Sequence, residues 1–302
     1  MTGIDALCDR HGYPAAVRDL LDALVESAHA HIPGLRALVL SGSVATGDFV
    51  WRGEGSGARL LSDIDAFAFA ARSGPVAAFS RAVEKLEASQ VSPLFHIDVS
   101  ISAVSALRRL PRRFQFVEAR LAGAAPVGPD VLEAFPEHFD RRAGRQSVFG
   151  NPWAVVRCWR EDEEAHRLAL ARMILDLPLI AFSEAGRCIP GHAARVDAFL
   201  ALGADHPLAT PQTRDAVTLA LRMRRRGDVP LEALEVSAPQ GIDALFGFLD
   251  GGGPPGPADR RLAARIAKLL PPRTPRRLVG ELRSALTAPR PDPGWWLRRK
   301  EA

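Results

Sequence analysis

The chain has 302 residues, a length that allows two domains, each with a substantial hydrophobic core. Hydrophobic residues make up 47% of it and charged residues 25%, which is the balance of a soluble globular protein. No apolar run approaches the roughly 20 residues of a membrane span, and no signal peptide pattern opens the chain. We therefore expect a cytoplasmic protein that does not bind membranes.

The charge balance argues against a nucleic acid as partner. The 39 Lys and Arg residues nearly match the 35 Asp and Glu residues, which leaves a net charge of +4. No run of five or six basic residues occurs, and a polymer would need an extended basic groove. Most of the basic residues are therefore expected to be solvated surface.

The predicted elements alternate between strand and helix in the first half of the chain and are helical in the second. Apolar residues at helical spacing predict helices over residues 15–30 and 75–89. Beyond Pro152 helical periods dominate, over residues 154–182, 193–202, 212–226, 242–249, 260–270 and 275–286. Proline and glycine residues interrupt regular structure near residues 126–152, and there we place the boundary between a domain of residues 1–145 and one of residues 146–302. The pattern predicts an α+β fold, with a mixed β-sheet domain and its flanking helices followed by an α-helical bundle.

The first motif is a short apolar strand that runs into Ser41-Gly42-Ser43 and then into small residues that can start a helix. A Gly-Ser turn lets backbone N–H groups and a hydroxyl approach an anion closely, and the N-terminal end of a helix favours phosphate. Gly42 and Ser43 are therefore candidate phosphate-binding residues. The alternative for Ser43 is a helix cap, with its hydroxyl accepting a backbone N–H group.

The second motif is a strand with two acidic residues on one face. Residues 63–69 alternate with period two, so that Asp63 and Asp65 share a face with two phenylalanines, opposite Ile64 and two alanines. Two carboxylates this close repel each other unless a cation lies between them, and Mg²⁺ prefers such oxygen ligands. The pair therefore indicates a metal site, with a solvated turn as the alternative.

The third motif is a later strand, residues 95–101, whose odd-numbered residues are all apolar. Asp98 lies on the opposite face, together with His96. If this strand lies beside the one before it, Asp98 becomes a third carboxylate at the same site. A buried structural acid paired with an arginine is the alternative.

In this order the three motifs resemble the nucleotidyltransferase superfamily that includes DNA polymerase beta and the antibiotic-inactivating nucleotidyltransferases. The matching runs are Gly42-Ser43, Asp63-Ile64-Asp65-Ala66 and Ile97-Asp98-Val99. The match covers roughly the first third of the chain. It departs from the pattern in the 19 residues between Ser43 and Asp63, where about a dozen is usual. We interpret the excess as a flexible, glycine-rich loop over residues 52–59.

The resemblance implies a fold, an activity and a set of ligands. Asp63, Asp65 and Asp98 would hold two Mg²⁺ ions and carry the catalysis, and Gly42 and Ser43 would bind the leaving phosphates. The implied reaction moves a nucleoside monophosphate, AMP from ATP, to a hydroxyl of a small acceptor such as an aminoglycoside-like compound. The mixed sheet followed by a helical domain, which contributes to the nucleotide and acceptor cleft, is also the arrangement of the aminoglycoside nucleotidyltransferases.

A weaker resemblance extends into the helical part. Residues 168–174 and 185–191 look like the streptomycin/spectinomycin adenylyltransferase segment that contacts the triphosphate. By position, Arg172 and Arg187 become candidate nucleotide-binding residues. An ion pair of Arg172 with Asp176, four residues later on one helix, is the alternative. For the whole chain, the alternatives are a transferase for a protein or RNA acceptor, of toxin-antitoxin type, and a non-catalytic relative.

Overall fold

The computed structural model describes residues 3–90, 92, 95–140, 163–203 and 205–238. They form a mixed α+β protein, as the sequence predicts. The chain divides into two compact units, of which the first comprises Met1–Asp140 with Cys188–His192, and the second Arg141–Arg187 with Ala193–Ala302. The predicted boundary at residues 145 and 146 lies outside the described residues.

The first unit is built on a four-stranded sheet with the order β5-β4-β1-β6. Strands β4 and β5 are parallel, and β1 is antiparallel to both of its neighbours. A separate pair, β2 and β3, forms a small hairpin. The strands are β1 (Ala37–Ser41), β2 (Trp51–Arg52), β3 (Arg59–Leu60), β4 (Ile64–Ala70), β5 (Ile97–Ala103) and β6 (Ala124–Val127).

Five α-helices accompany the sheet. The predicted helices over residues 15–30 and 75–89 are confirmed as α2 and α4. Three short 3-10 helices, at Gly55–Gly57, Val104–Arg109 and Pro129–Ala134, connect other elements. The α-helices are α1 (Gly3–His11), α2 (Ala15–His31), α3 (Gly42–Thr46), α4 (Ala77–Ala88) and α5 (Phe114–Ala122).

Both faces of the sheet are covered, which explains why its strands alternate in side-chain size. Ile64, Ala66 and Ala68 of β4 belong to a core that includes the apolar faces of α1, α2 and α4. On the opposite face, Phe69 is buried and Phe67 packs with Phe116 and Phe135, whose rings lie 4.6 and 6.1 Å from its own. The predicted alternation of β4 is therefore confirmed.

The predicted glycine-rich loop over residues 52–59 is the tip of a hairpin whose ends are paired. Trp51 pairs with Leu60, and Arg52 pairs with Arg59. One residue further from the tip on each strand, the Leu61 N–H group donates to the Val50 carbonyl at 2.9 Å. Leu60 is fully buried, and the Trp51 ring packs edge-on against Tyr13 at 5.5 Å. The glycines form only the tip of the hairpin, while apolar side chains on its two legs anchor it to the core.

The second unit is helical in its described part, and the predicted helix over residues 154–182 differs in one respect. It is divided into α6 (Glu163–Ile174) and α7 (Asp176–Glu184). Pro178 explains the break, because its ring would clash with the carbonyl of residue 174 in a continuous helix. As the third residue of a new helix, its missing N–H group costs no hydrogen bond.

The remaining described helices follow the predicted periods closely. They are α8 (His192–Leu200) and α9 (Pro211–Arg226), with a further helical segment at residues 231–238. Within the unit α6 packs against α9. The predicted helices over residues 242–249, 260–270 and 275–286 lie outside the described residues, as do residues 154–162. None of the helices that the structure describes has the length and apolar character required to span a membrane.

Candidate functional site

Two of the predicted carboxylates occupy matching positions on neighbouring strands. Asp65 of β4 pairs in register with Asp98 of β5, and on its other side with Ser41 of β1. Residues opposite each other on adjacent strands project from the same face, with strands about 4.8 Å apart. The three residues therefore form one row across the sheet, at the end where β1 finishes and β4 and β5 begin.

The row is accessible from one side. β5 is the outermost strand of the order, so Asp98 is exposed, whereas Asp65 is half-buried and Ser41 is buried. Asp63 lies immediately before β4 and is also half-buried. Within the described residues, no group of three or more His, Cys, Asp and Glu side chains is arranged to hold a metal ion. The strand register aligns the carboxylates without gathering them into one cluster.

Gly42 follows this row directly and can only be glycine. Its backbone is left-handed, with φ of +62°, and a Cβ atom placed there would lie 2.6 Å from Oδ2 of Asp65. A side chain at this position would be both strained and driven into the carboxylate. The Gly42 backbone and the Asp65 carboxylate are therefore packed against each other.

Ser43 lies in α3 with its hydroxyl turned inward. Its Oγ atom is buried and makes no hydrogen bond within the described part of the chain. It does not cap the helix, because α3 begins at Gly42 and its N-cap is Ser41. A buried hydroxyl without a partner is costly, so a ligand oxygen beside Ser43 would remove that cost.

The carbonyl groups of α3 are held by two side chains, one at the end of α1 and one in the connection between α1 and α2. The Tyr13 hydroxyl donates to the Val44 carbonyl at 2.8 Å, and Nε2 of His11 lies 3.1 Å from the Ala45 carbonyl. Burial raises the pKa of Tyr13 well above its usual range and lowers the pKa of His11. Tyr13 therefore remains a protonated donor and His11 a neutral imidazole, so that α3 is fixed by uncharged groups.

The start of β5, next to Asp98, is anchored by Glu87 near the end of α4. The Glu87 carboxylate accepts the Ile97 N–H group at 2.6 Å and also contacts Nδ1 of His96. His96 is 65% exposed on its side chain, so it is a surface partner of Glu87 rather than a buried group of the site. This contact fixes the position of the strand that carries Asp98.

Two carboxylates that the sequence did not single out join a distant segment to α3. The Gly191 N–H group donates to Oε1 of the buried Glu118 at 3.2 Å, and the His192 N–H group to Oδ2 of Asp48 at 2.5 Å. Asp48 also accepts a hydrogen bond from the Thr46 hydroxyl at 3.1 Å. Cys188–His192 thus lies in the first unit, beside the end of α3.

The two candidate arginines lie in the second unit. Arg172 is half-buried near the end of α6, and Asp176 is buried at the start of α7. The two residues therefore lie on separate helices, and neither is exposed. Arg187 follows α7, where its N–H group bonds to the Phe182 carbonyl and that of Gly186 to the Ser183 carbonyl. This is a Schellman motif, and the exposed Arg187 guanidinium lies 5.3 Å from the Phe182 ring.

The structure thus aligns Asp65 and Asp98, places Gly42 against Asp65, and puts Asp63 and Ser43 next to them in the chain. Comparison with known proteins adds no assignment, since neither a family model nor a curated protein matches the chain.

Gly42 and Gly12 offer a matched test of the contact with Asp65. Both have φ near +60°, but a Cβ atom at Gly12 would meet nothing within 4 Å. We expect Gly12→Ala to cost about 1–2 kcal/mol of unfolding free energy from backbone strain, and Gly42→Ala about 1–3 kcal/mol more from overpacking. Combining Gly42→Ala with Asp65→Ala should recover most of that extra cost. Equal losses for the two alanine variants in urea unfolding would contradict the contact.

Asp48 should stabilise the fold through its two acceptor contacts. We expect Asp48→Ala to lower the unfolding free energy by about 1.5–3 kcal/mol, because it leaves the His192 N–H group and the Thr46 hydroxyl without their charged acceptor. Asp48→Asn keeps an acceptor oxygen and should lose less. Asp19→Ala, on an exposed position of α2, is the control. A loss for Asp48→Ala no larger than that of the control would show that the contacts contribute nothing.

Proposed function

We propose that the chain is a metal-dependent nucleotidyltransferase of the DNA polymerase beta-like superfamily, with a catalytic domain followed by a helical one. It would transfer a nucleoside monophosphate, AMP from ATP, to a hydroxyl group of a small acceptor, such as an aminoglycoside-like or natural-product compound, and release pyrophosphate. The observation that carries the proposal is the row of Asp65 and Asp98 with the Gly42 backbone packed against Asp65.

The residues present fit magnesium. Asp63, Asp65 and Asp98 offer hard carboxylate oxygens, the ligands that Mg²⁺ prefers, and all three lie at or next to one end of the sheet. When bound, two Mg²⁺ ions would neutralise charge on the triphosphate and lower the pKa of the acceptor hydroxyl. Asp65 and Asp98 lie in register on paired strands, and Asp63 would complete the ligand set from just before β4.

The chain's own groups would mainly bind and orient. The backbone at the start of α3 would approach the phosphate oxygens, and the Ser43 hydroxyl, which has no hydrogen-bond partner within the described part of the chain, would donate to one of them. In-line attack of the acceptor hydroxyl on the α-phosphorus would then depend on positioning and on charge stabilisation, with little covalent work left to side chains. Arg172 and Arg187 are proposed as further phosphate ligands, since a guanidinium fork suits phosphate oxygens.

Replacing the aligned carboxylates should abolish transfer without unfolding the protein. We expect Asp65→Asn, Asp63→Asn and Asp98→Asn each to reduce kcat at least 100-fold, because the metal charge is worth several kcal/mol in the transition state. The measurement is pyrophosphate release with Mg²⁺, a panel of nucleoside triphosphates and small hydroxyl acceptors. Asp19→Asn, on the exposed face of α2, removes a carboxylate without touching the site and serves as the control.

Turnover of Asp65→Asn within tenfold of the parent protein would sink the proposed mechanism. A parent protein that binds Mg²⁺ and a non-hydrolysable triphosphate, yet releases no pyrophosphate with any acceptor, would favour the non-catalytic alternative. Transfer to a protein or an RNA, but to no small acceptor, would change the substrate class while leaving the chemistry in place.

Arg172 can be tested by binding alone. If it contacts the triphosphate, Arg172→Ala should weaken binding of a non-hydrolysable nucleotide with Mg²⁺ by about 1.5–3 kcal/mol, the range for a hydrogen bond to a charged group. Arg167→Ala, a control on the same helix, removes an arginine that contacts Glu163 and the Val229 carbonyl. Unchanged affinity of a folded Arg172→Ala protein in isothermal titration would rule out the ligand role.

A further inference from the structure

The end of the sheet opposite the carboxylate row is lined with arginine. Four arginines lie in one stretch of six residues in the chain that follows β5, and all four are exposed: Arg108, Arg109, Arg112 and Arg113. A stretch of six residues spans at most about 20 Å, so these charges are close together. This concentration is unusual, because residues 1–140 carry 17 acidic and only 13 Lys and Arg side chains.

The sheet topology adds two more arginines to the same end. Arg72 follows β4, which is parallel to β5, and Arg36 precedes β1, which is antiparallel to β4. The Arg36 N–H group donates to the Phe69 carbonyl at 2.7 Å, and the Gly74 N–H group to the Ile101 carbonyl at 3.3 Å. Both contacts hold the loops to the ends of β4 and β5.

The path of the chain keeps residues 108–113 at this end. The chain leaves β5 here, and β6 begins at the other end of the sheet, where Ala124 pairs with Leu40. α5 must therefore run back from the arginine loop toward the carboxylate row. We call Arg36, Arg72, Arg108, Arg109, Arg112 and Arg113 the arginine edge. Along β4, Arg72 follows Asp65 by seven residues, which is about 20 Å.

The arginine edge is not used internally. Within the described part of the chain, none of its six guanidinium groups has a hydrogen bond or an ion pair, and all six side chains are exposed. β6 also ends here, and the exposed Asp130 and Glu133 follow it. The Asp140 N–H group donates to the Arg112 carbonyl at 2.8 Å, which places a third exposed acidic residue beside the edge. Six cations therefore face three anions, although the unit is acidic as a whole, so the positive surplus is confined to this edge.

The chemistry of the arginine edge fits a phosphate backbone better than a protein surface. A protein interface needs apolar anchors at its centre, but the exposed large hydrophobic residues of the described part are Leu121 and Val236, and neither lies in the loops of the arginine edge. Phe114 and Phe116, which follow these arginines, are buried, so no aromatic ring is offered for base stacking. The guanidinium fork instead suits phosphate oxygens in pairs.

We propose that the arginine edge binds the phosphate backbone of a nucleic acid, without regard to its base sequence. The expectation that the chain has no such partner rested on the absence of a long basic run. The fold gathers arginines from three separate loops, so a run is not needed. This inference does not depend on the proposed transfer reaction, because none of the six arginines belongs to the candidate site.

The test is fluorescence anisotropy with labelled single-stranded RNA and DNA of about 20 nucleotides, between about 50 and 200 mM salt. The parent protein should bind at low salt, with an affinity that falls steeply as salt rises. Replacing Arg108, Arg109, Arg112 and Arg113 by Gln should reduce the slope of log K against log salt by about 3, at roughly 0.7 for each lost phosphate contact. Replacing Arg36 and Arg72 by Gln should reduce this slope by about 1.4. This twofold variant provides the test if the fourfold variant does not fold.

A control of equal charge is available. Arg10, Arg81, Arg225 and Arg226 are exposed and lie outside the edge, so their joint replacement by Gln removes four charges as well. This variant should keep the parent slope. No binding at low salt, or equal slope changes in the two fourfold variants, would overturn the proposal. The proposal would also be overturned if polyglutamate displaced the labelled nucleic acid as strongly as unlabelled RNA does, because the partner would then be an acidic protein.

Discussion

The contact between the Gly42 backbone and the Asp65 carboxylate is the constraint on which the rest of the site depends. It requires a left-handed residue without a side chain at the end of β1, and a carboxylate at the matching position of β4. Because β5 pairs in register with β4, fixing Asp65 also fixes the row position of Asp98. The strand pairing therefore places the turn at Gly42 and the two candidate metal ligands, Asp65 and Asp98, together.

The turn after β1 is held from several directions. α3 has only five residues and cannot be stable by itself, so its carbonyl groups need donors from elsewhere. His11, at the end of α1, and Tyr13, in the connection to α2, supply these donors. On the other side, Asp48 accepts the His192 N–H group and Glu118 accepts the Gly191 N–H group. The turn is thereby built from parts of the chain more than 140 residues apart, which gives it a defined position before any ligand binds.

The sequence could predict the features that depend on local pattern. The alternation along β4, the helices α2 and α4, and the mixed α+β class all follow from periodicity and were confirmed. The glycines of residues 52–59 indicate the tip of the hairpin, but the strand pairing on either side of it could not be predicted from them. The break at Leu175 was missed, although Pro178 signals it, because the apolar period continues through the proline.

The features that depend on contacts between distant residues could not be predicted in the same way. Nothing in the local pattern around Asp48 or Glu118 identifies Gly191 and His192 as their partners. The order of strands decides which arginines share an end of the sheet, and that order cannot be predicted from the pattern of any single segment. The same sheet therefore carries acidic residues at one end and arginines at the other, a polarity visible only once the strands are paired.

The most direct test of the central claim is to locate the metal. Mn²⁺ is accepted by oxygen ligand sets that bind Mg²⁺, and it broadens the NMR signals of nearby amides. With Mn²⁺ and a non-hydrolysable nucleoside triphosphate, the account predicts that the amide signals of Gly42, Asp65 and Asp98 disappear. The signal of Arg72, about 20 Å from Asp65 beyond the other end of β4, should remain. Broadening that spares Gly42 and Asp65, or that is equal at both ends of the sheet, would contradict it.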